Sequence, residues 1–265
     1  MSLLKIGSTG DAVKALQRAL TAKGYSVGDD GDFGQNTFKA VIAFQKKVGL
    51  NPDGVVGKDT SDALGLNSKA VWETLPFPVA NRSRAAAMPT LEAVARLTGV
   101  SAKLLATFAS IESAFDYTVK PSTSSAEGWF QILDATWDAL VKAYGAKYGI
   151  MPDPKRTLRK DPRANALMGA ELLAENTRAL KKALGREPTD VELYAAHFFG
   201  AGTAGKFLSA VKSAQGKSLF PAQAKANPGI FYAKYNPKLD PIEWQPRTVA
   251  EIIALFEKKV SAHRG

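Results

Sequence analysis

The sequence predicts a mainly α protein in two parts, a three-helix module over residues 1–66 and a larger helical domain over residues 83–265, with at most a small β-hairpin. Three observations carry this. Apolar residues recur at helical spacing over most of the chain; the motif DGDFGQNT at 30–37 returns as DGVVGKDT at 53–60; and the composition shifts at 67–82, NSKAVWETLPFPVANR.

Both copies of the repeat share DGxφGxxT, where φ is apolar. Asp-Gly favours a tight turn with positive φ at the glycine, the apolar residue tucks inward, and Asn36/Thr37 or Asp59/Thr60 are placed to cap the helix that follows. Val13, Leu16 and Leu20 mark a helix before the first copy, and Phe38, Val41, Ile42 and Gln45 mark another after it. Pro76 and Pro78 forbid a continuous helix through 67–82, so this stretch reads as an extended linker. Beyond it, residues 90–98, 101–115, 134–149, 162–183, 189–198, 203–213 and 248–262 show the 3.6-residue period of helices. Residues 117–131, with a proline, serines and a glycine between short apolar pieces, are where a hairpin or loop is expected.

With 265 residues, 45% of them hydrophobic, the chain has enough apolar side chains for a real core. It has no cysteine, which excludes a disulfide framework, a thiolate metal site and a cysteine nucleophile. No apolar run is long enough for a membrane span, and the start lacks the basic and apolar regions of a secretory signal, so the chain reads as soluble and made without one. The net charge of +10 is uneven: residues 1–66 hold 8 Lys/Arg against 7 Asp/Glu, and residues 67–265 hold 27 against 18. Such a surface suits an anionic polymer. Nucleic acid, anionic lipid and acidic wall polymers all qualify, but no nucleic-acid recognition motif is present, so a nucleic-acid partner is not expected. The two histidines, His197 and His263, are far apart in sequence, and neither a metal nor a cofactor is implied.

One carboxylate stands out. Ser101 is well placed as an N-cap, and the helix after it directs Leu104, Leu105, Phe108 and Ile111 inward. Glu112 follows Phe108 by four positions and Leu104 by eight, so it lies on the apolar stripe. Burying a carboxyl costs free energy unless it is hydrogen-bonded or protonated. A carboxyl kept protonated in this way is what a general acid needs near neutral pH.

Two sets of motifs resemble known families. GSTGDAVKALQRAL, GY, DGDFGQNTFKAVIAFQKKVGL and DGVVGKDT resemble the type 1 peptidoglycan-binding domain, which implies wall binding beside the turns. ASIESAFDY followed by GWFQILDATW resembles the core shared by soluble lytic transglycosylases and goose-type lysozymes, where Glu-Ser precedes a GxxQ turn. Together they make the whole chain similar to modular phage endolysins of the giant Pseudomonas phage type, with residues 83–265 as a lysozyme-like lytic transglycosylase domain.

The resemblance implies Glu112 as catalytic acid/base, Ser113 as the neighbour that shapes the site, and Gly128 and Gln131 as the turn lining the cleft. Asn165, Gly169 and Leu173 of NALMGAELL match a later helix of the family, read as packing; Glu171, at a variable position of that pattern, reads either as a solvated helix glutamate or as a second cleft carboxylate. AAHFFGAG at 195–202 departs from the family's AAYNAGxG: His197 and Phe198 replace tyrosine and asparagine, and His197 is expected to keep the tyrosine's hydrogen-bonding role near the sugar. NPGIFYAKY makes Tyr232 the residue to hold Glu112 or an N-acetyl group. Trp129, Trp137, Tyr144 and Tyr148 are possible sugar platforms, Tyr144 the best placed.

The implied reaction is cleavage of the MurNAc-GlcNAc β-1,4 bond, either without water, giving a 1,6-anhydro product, or hydrolytically with Asp116 or Glu127 as the second carboxylate. A wall-binding protein without activity is the alternative. The expected partners are peptidoglycan strands and, through the basic surface, anionic wall or membrane polymers, with the protein acting as a monomer. It is expected to collect in the host cytoplasm and reach the wall through a separate pore.

Overall fold

The computed structural model describes residues 3–66, 70–122, 124–238 and 244–264. The chain forms two compact units, Met1–Thr74 and Leu75–Gly265, which divide within the stretch read as linker. Positions 67–69 of that stretch lie outside the described residues.

The smaller unit contains α1 (Asp11–Ala22), α2 (Gln35–Lys47), α3 (Lys58–Leu64) and α4 (Val71–Thr74). Val13, Leu16 and Leu20 of α1 pack with Phe33, Val41, Phe44, Val56 and Leu64 into its core. The cap expectation is corrected here: Gly34 and Gly57 stand at the N-caps of α2 and α3, without a side-chain cap bond. Thr37 and Thr60 instead turn inward to meet buried glutamines. Gln17 Nε2 donates to Asp30 Oδ1 at 2.8 Å, Asp32 O at 3.0 Å and Thr37 Oγ1 at 3.1 Å, while its Oε1 accepts from Gly31 N. Gln45 repeats the pattern with Asp53 Oδ1 at 2.9 Å, Val55 O at 3.0 Å, Thr60 Oγ1 at 3.1 Å and Gly54 N. The sequence repeat is therefore a repeat of one hydrogen-bond network.

The larger unit is built from α5 (Arg84–Thr98), α6 (Ala102–Ser113), α7 (Asp134–Leu140), α8 (Ala146–Tyr148), α9 (Pro162–Leu184), α10 (Asp190–Phe199), α11 (Ala201–Leu208), α12 (Gly216–Leu219), α13 (Pro221–Ala226), α14 (Pro228–Phe231) and α15 (Val249–His263). Local signals explain the ends of the long helices. Asp161 accepts from Arg163 N with Pro162 at the first helical position of α9, Gly185 ends that helix in the left-handed region, and Thr189–Glu192 and Thr248–Glu251 form capping boxes on α10 and α15. Ser101 precedes α6 without a side-chain cap bond.

α9, buried along most of its first four turns, packs against α5, α10 and α11, and α15 packs on both α6 and α10. The helix expected over 134–149 is interrupted by a π-turn at Val141–Gly145, and that expected over 203–213 is α11, ending at Leu208. Of the hairpin or loop expected in 117–131, the loop is what forms among the described residues. That segment is a series of turns with one bridge, Glu127 to Ile132, and the small antiparallel sheet is β1 (Tyr232–Ala233) against β2 (Gln245–Pro246). Among the described residues, no helix is long and apolar enough to cross a membrane.

Candidate functional site

Glu112 lies in the last turn of α6, with 19% of its side chain exposed. Phe108, one turn earlier and fully buried, meets the edge of His197 from α10 with ring centroids 5.6 Å apart. That contact brings His197 Nε2 to 3.6 Å from Glu112 Oε1, too far for a good hydrogen bond. Burial lowers the pKa of His197 from its ordinary 6.5, Glu112 opposes that shift and Lys259 adds to it, so the ring is neutral at neutral pH.

α6 ends abruptly. Ala114 and Phe115 both adopt positive φ, 50° and 60°, which reverses the chain directly after Ser113. Two contacts fix this reversal: the buried Ser113 hydroxyl lies 3.0 Å from the carbonyls of Ala109 and Trp129, and Trp129 Nε1 donates to Phe115 O at 2.8 Å. Ser113 thus ties the Glu112 helix to the GWFQ turn.

That turn is held from α9. Phe130 N donates to Asn165 Oδ1 at 2.9 Å, and Asn165 Nδ2 donates to Arg159 O at 2.8 Å and to Glu127 O at 3.2 Å. Gly128, at φ +79°, lies so close that a Cβ there would sit 2.5 Å from Asn165 Nδ2 and 2.7 Å from Arg159 O. Gly128→Ala combines positive φ with a clash against backbone and is expected to cost roughly 3 kcal/mol of unfolding free energy. Denaturant titration checks this, and a loss below about 1 kcal/mol would mean that the turn yields without strain. Gln131, at φ 45°, folds back on its own loop, its Nε2 donating to Gly128 O at 2.8 Å and Val119 O at 3.2 Å.

Residues 90–220 match the Transglycosylase SLT domain family, and residues 9–64 match a peptidoglycan binding domain family. The chain joins a peptidoglycan-binding domain to an SLT domain. Among curated relatives, it is 45% identical over 65 residues to a probable N-acetylmuramoyl-L-alanine amidase of Bacillus licheniformis, covering 23% of this chain and 18% of that protein, so the match spans under a fifth of the relative. Among solved structures, it is similar to a peptidoglycan-binding protein from Clostridioides difficile in complex with glutamine hydroxamate, with 48% identity over 24% of this chain and 40% of that one and a TM-score of 0.24. It also aligns with the Burkholderia AP3 phage endolysin over 99% of both chains, at 20% identity and a TM-score of 0.24.

A second cluster in the SLT domain surrounds the π-turn. Tyr144 donates to Glu175 Oε1 at 2.8 Å and accepts from Arg178 at 3.1 Å. Glu171, 6% exposed, accepts from the Tyr148 hydroxyl and from Lys147 Nζ at 3.1 Å. Burial, together with the Glu171 hydrogen bond, pushes the Tyr148 phenol up to about 12. Tyr232 stands on β1 with its ring edge-on to Trp244, centroids 5.5 Å apart, and Lys217 over its face. The structure therefore brings together Glu112 with His197, and Ser113 with the Gly128–Gln131 turn. Among the described residues no hydrogen bond or ring contact joins Tyr144, Glu171 or Tyr232 to Glu112. The platform expectation is corrected for Trp129, Trp137 and Tyr148, which are 1%, 2% and 1% exposed and offer no open face. Tyr144 remains partly exposed.

Sequence reasoning missed Tyr194 and Lys259. Tyr194 is buried beside Phe108, ring centroids 6.1 Å apart, and Lys259 Nζ lies 5.4 Å from its ring centre. Burial raises the Tyr194 phenol pKa and the charge of Glu112 adds to this. The apolar period of α15 was visible, but not the helices on which it packs.

Proposed function

We propose that this chain is a peptidoglycan-degrading enzyme that cleaves the MurNAc-GlcNAc β-1,4 bond as a lytic transglycosylase, with Glu112 as its acid and then its base. One observation carries the reading: Glu112 is a mostly buried carboxyl, 19% exposed, in the last turn of α6, and the carboxylates nearest in sequence are engaged elsewhere. Burial pushes Asp116 toward a higher pKa, but hydrogen bonds from Thr118, Asn81 and Arg82 outweigh it and hold the carboxylate well below its usual range. Glu127 pairs with Arg159 at 3.1 Å and Lys120 at 3.7 Å. A retaining or inverting glycosidase needs a second carboxylate free to attack the sugar or to activate water. Neither of these is free.

With one carboxylate, the balanced sequence is as follows. Glu112 gives its proton to the glycosidic oxygen, the C1–O bond breaks, and the acetamido oxygen of MurNAc stabilises the cation at C1. Glu112, now ionised, takes the proton of the C6 hydroxyl, and O6 bonds to C1. No water is consumed and the carboxyl is restored. Mass spectrometry of digested wall tests this. Anhydro-ended fragments are expected, and fragments heavier by one water would overturn it in favour of a muramidase.

A further inference from the structure

The ribbon of β1 and β2 lies beyond the residues that match the SLT family, on a base that ties it to the site. Phe199, two positions after His197 at the end of α10, meets Phe231 with ring centroids 5.8 Å apart, and β1 starts at the next residue. Arg247 clamps the ribbon, its Nη1 donating to the carbonyls of Gly229, Ile230 and Tyr232. Tyr232 pairs with Pro246 in the register of the sheet. Trp244, two positions before Pro246, shares its face and reaches Tyr232 on the diagonal, centroids 5.5 Å apart. Lys234, at φ 56°, turns the chain after β1, and Tyr235 meets Trp244 with centroids 4.7 Å apart.

These three rings do not stack. Trp244 stands at 66° to Tyr232 and at 78° to Tyr235, so each contact uses an edge and at most one face. Tyr235 is 36% exposed, and Tyr232 and Trp244 are half-buried. The Trp244 indole is fixed in place, its Nε1 donating to Asn236 O at 3.2 Å, whereas neither tyrosine hydroxyl makes a hydrogen bond among the described residues. Lys217 of α12 holds its ammonium 5.8 Å from the centre of the Tyr232 ring and pairs with no carboxylate among the described residues.

We propose that Tyr232, Tyr235 and Trp244 form a platform for N-acetylated sugar rings of the glycan strand, a subsite separate from Glu112. The proposal rests on the reading of the chain as an enzyme that acts on such strands. A pyranose ring offers an apolar C–H face rimmed by hydroxyl and acetamido groups. A tyrosine or tryptophan that is apolar across its face and polar at its tip matches both parts, and the unused hydroxyls of Tyr232 and Tyr235 are left to bond the rim. Lys217 adds a cation beside the platform, suited to the carboxylates of the peptides that the strand carries. Because the ribbon is seated on the end of α10 that holds His197, a strand lying on it is held beside the bond to be cut.

The test uses the full chain with Glu112→Gln and the peptide-free probe tetra-N-acetylchitotetraose. The indole N–H resonance of Trp244, assigned by its loss in Trp244→Phe, is expected to shift and saturate as the probe is added. Tyr235→Ala should weaken that binding about tenfold, and Tyr235→Phe, which keeps the ring, should stay within about threefold of it. In the chain with Glu112 intact, Tyr235→Ala should raise the half-saturating amount of purified wall about tenfold and leave kcat within about twofold. Trp244→Ala repeats the wall assay if Tyr235→Ala does not fold. A Trp244 resonance that stays still at about 10 mM probe overturns the proposal, as does a Tyr235→Ala chain that loses kcat with unchanged half-saturation. The titration does not depend on cleavage. A shift that appears while Glu112→Gln still cuts wall supports the platform and places the fault in the role given to Glu112.

Discussion

Glu112→Gln is expected to reduce strand cleavage by about a thousandfold or more while leaving the protein folded and bound to insoluble wall. Glutamine keeps the shape and can still donate a hydrogen bond, but it has no proton to give to the leaving oxygen and cannot take one from the C6 hydroxyl. A positioned acid or base contributes about 10²–10⁴ in rate, and here one group serves in both steps. A thousandfold corresponds to about 4 kcal/mol of barrier. Folding should tolerate the change, because the side chain is 19% exposed and His197, the titratable group beside it, is neutral near pH 7, so no ion pair is lost. Release of soluble fragments from purified wall is the measurement, and the melting curve is its control. Turnover within about tenfold of wild type, with normal folding, would remove Glu112 from the chemistry and with it the reading of the whole site.

The elements that sequence makes legible are those whose signal is local. The 3.6-residue period placed α1, α2, α6, α9, α10 and α15 because each buries one face, and the repeated Asp-Gly turns were visible because their geometry needs those residue types. Elements held from a distance were not legible. The segment that ends in the GWFQ turn could be read only as hairpin or loop, since short apolar pieces around a glycine suit either; what shapes it is Asn165, 35 positions away from Phe130. The sheet of β1 and β2 has two residues per strand, too few to show alternation. The π-turn has the composition of ordinary helix, and its break is fixed by the return of the chain, where Ile150 N donates to Gly145 O at 2.9 Å. The same division holds at the site. Glu112 could be placed on an apolar stripe from Leu104 and Phe108 alone, whereas Lys259, 147 positions further on, comes over Tyr194 only through the packing of α15 on α10.

Gln45→Leu should cost the smaller unit most or all of its stability. The side chain is 1% exposed and satisfies four groups at once: the Asp53 carboxylate, the Val55 carbonyl, the Thr60 hydroxyl and the Gly54 N–H. Leucine fills a similar volume but leaves Gly54 N–H and Val55 O buried without this partner, at about 1–3 kcal/mol for each group left unsatisfied. Gly54 itself has little freedom to relax, because it sits at φ +72° with the Phe38 ring against it. A unit of this size holds only about 3–10 kcal/mol in total, so the loss approaches the whole. Hydrogen exchange over residues 3–66 should collapse in the variant, while α5 to α15 stay protected and soluble fragments are still cut. Gln17→Leu, which breaks the matching network of the first copy, should do the same. The networks also set a pH window. Asp53 is held below its ordinary 3.8 first by the Val55 N–H and then by Gln45, as Asp30 is by Asp32 and Gln17, so their contribution is complete above that value and fades as pH falls below it. If both leucine variants lose less than about 1 kcal/mol, the repeated turns are held by the apolar core of Leu16, Phe33, Val41 and Val56 instead, and the glutamines are incidental to the fold.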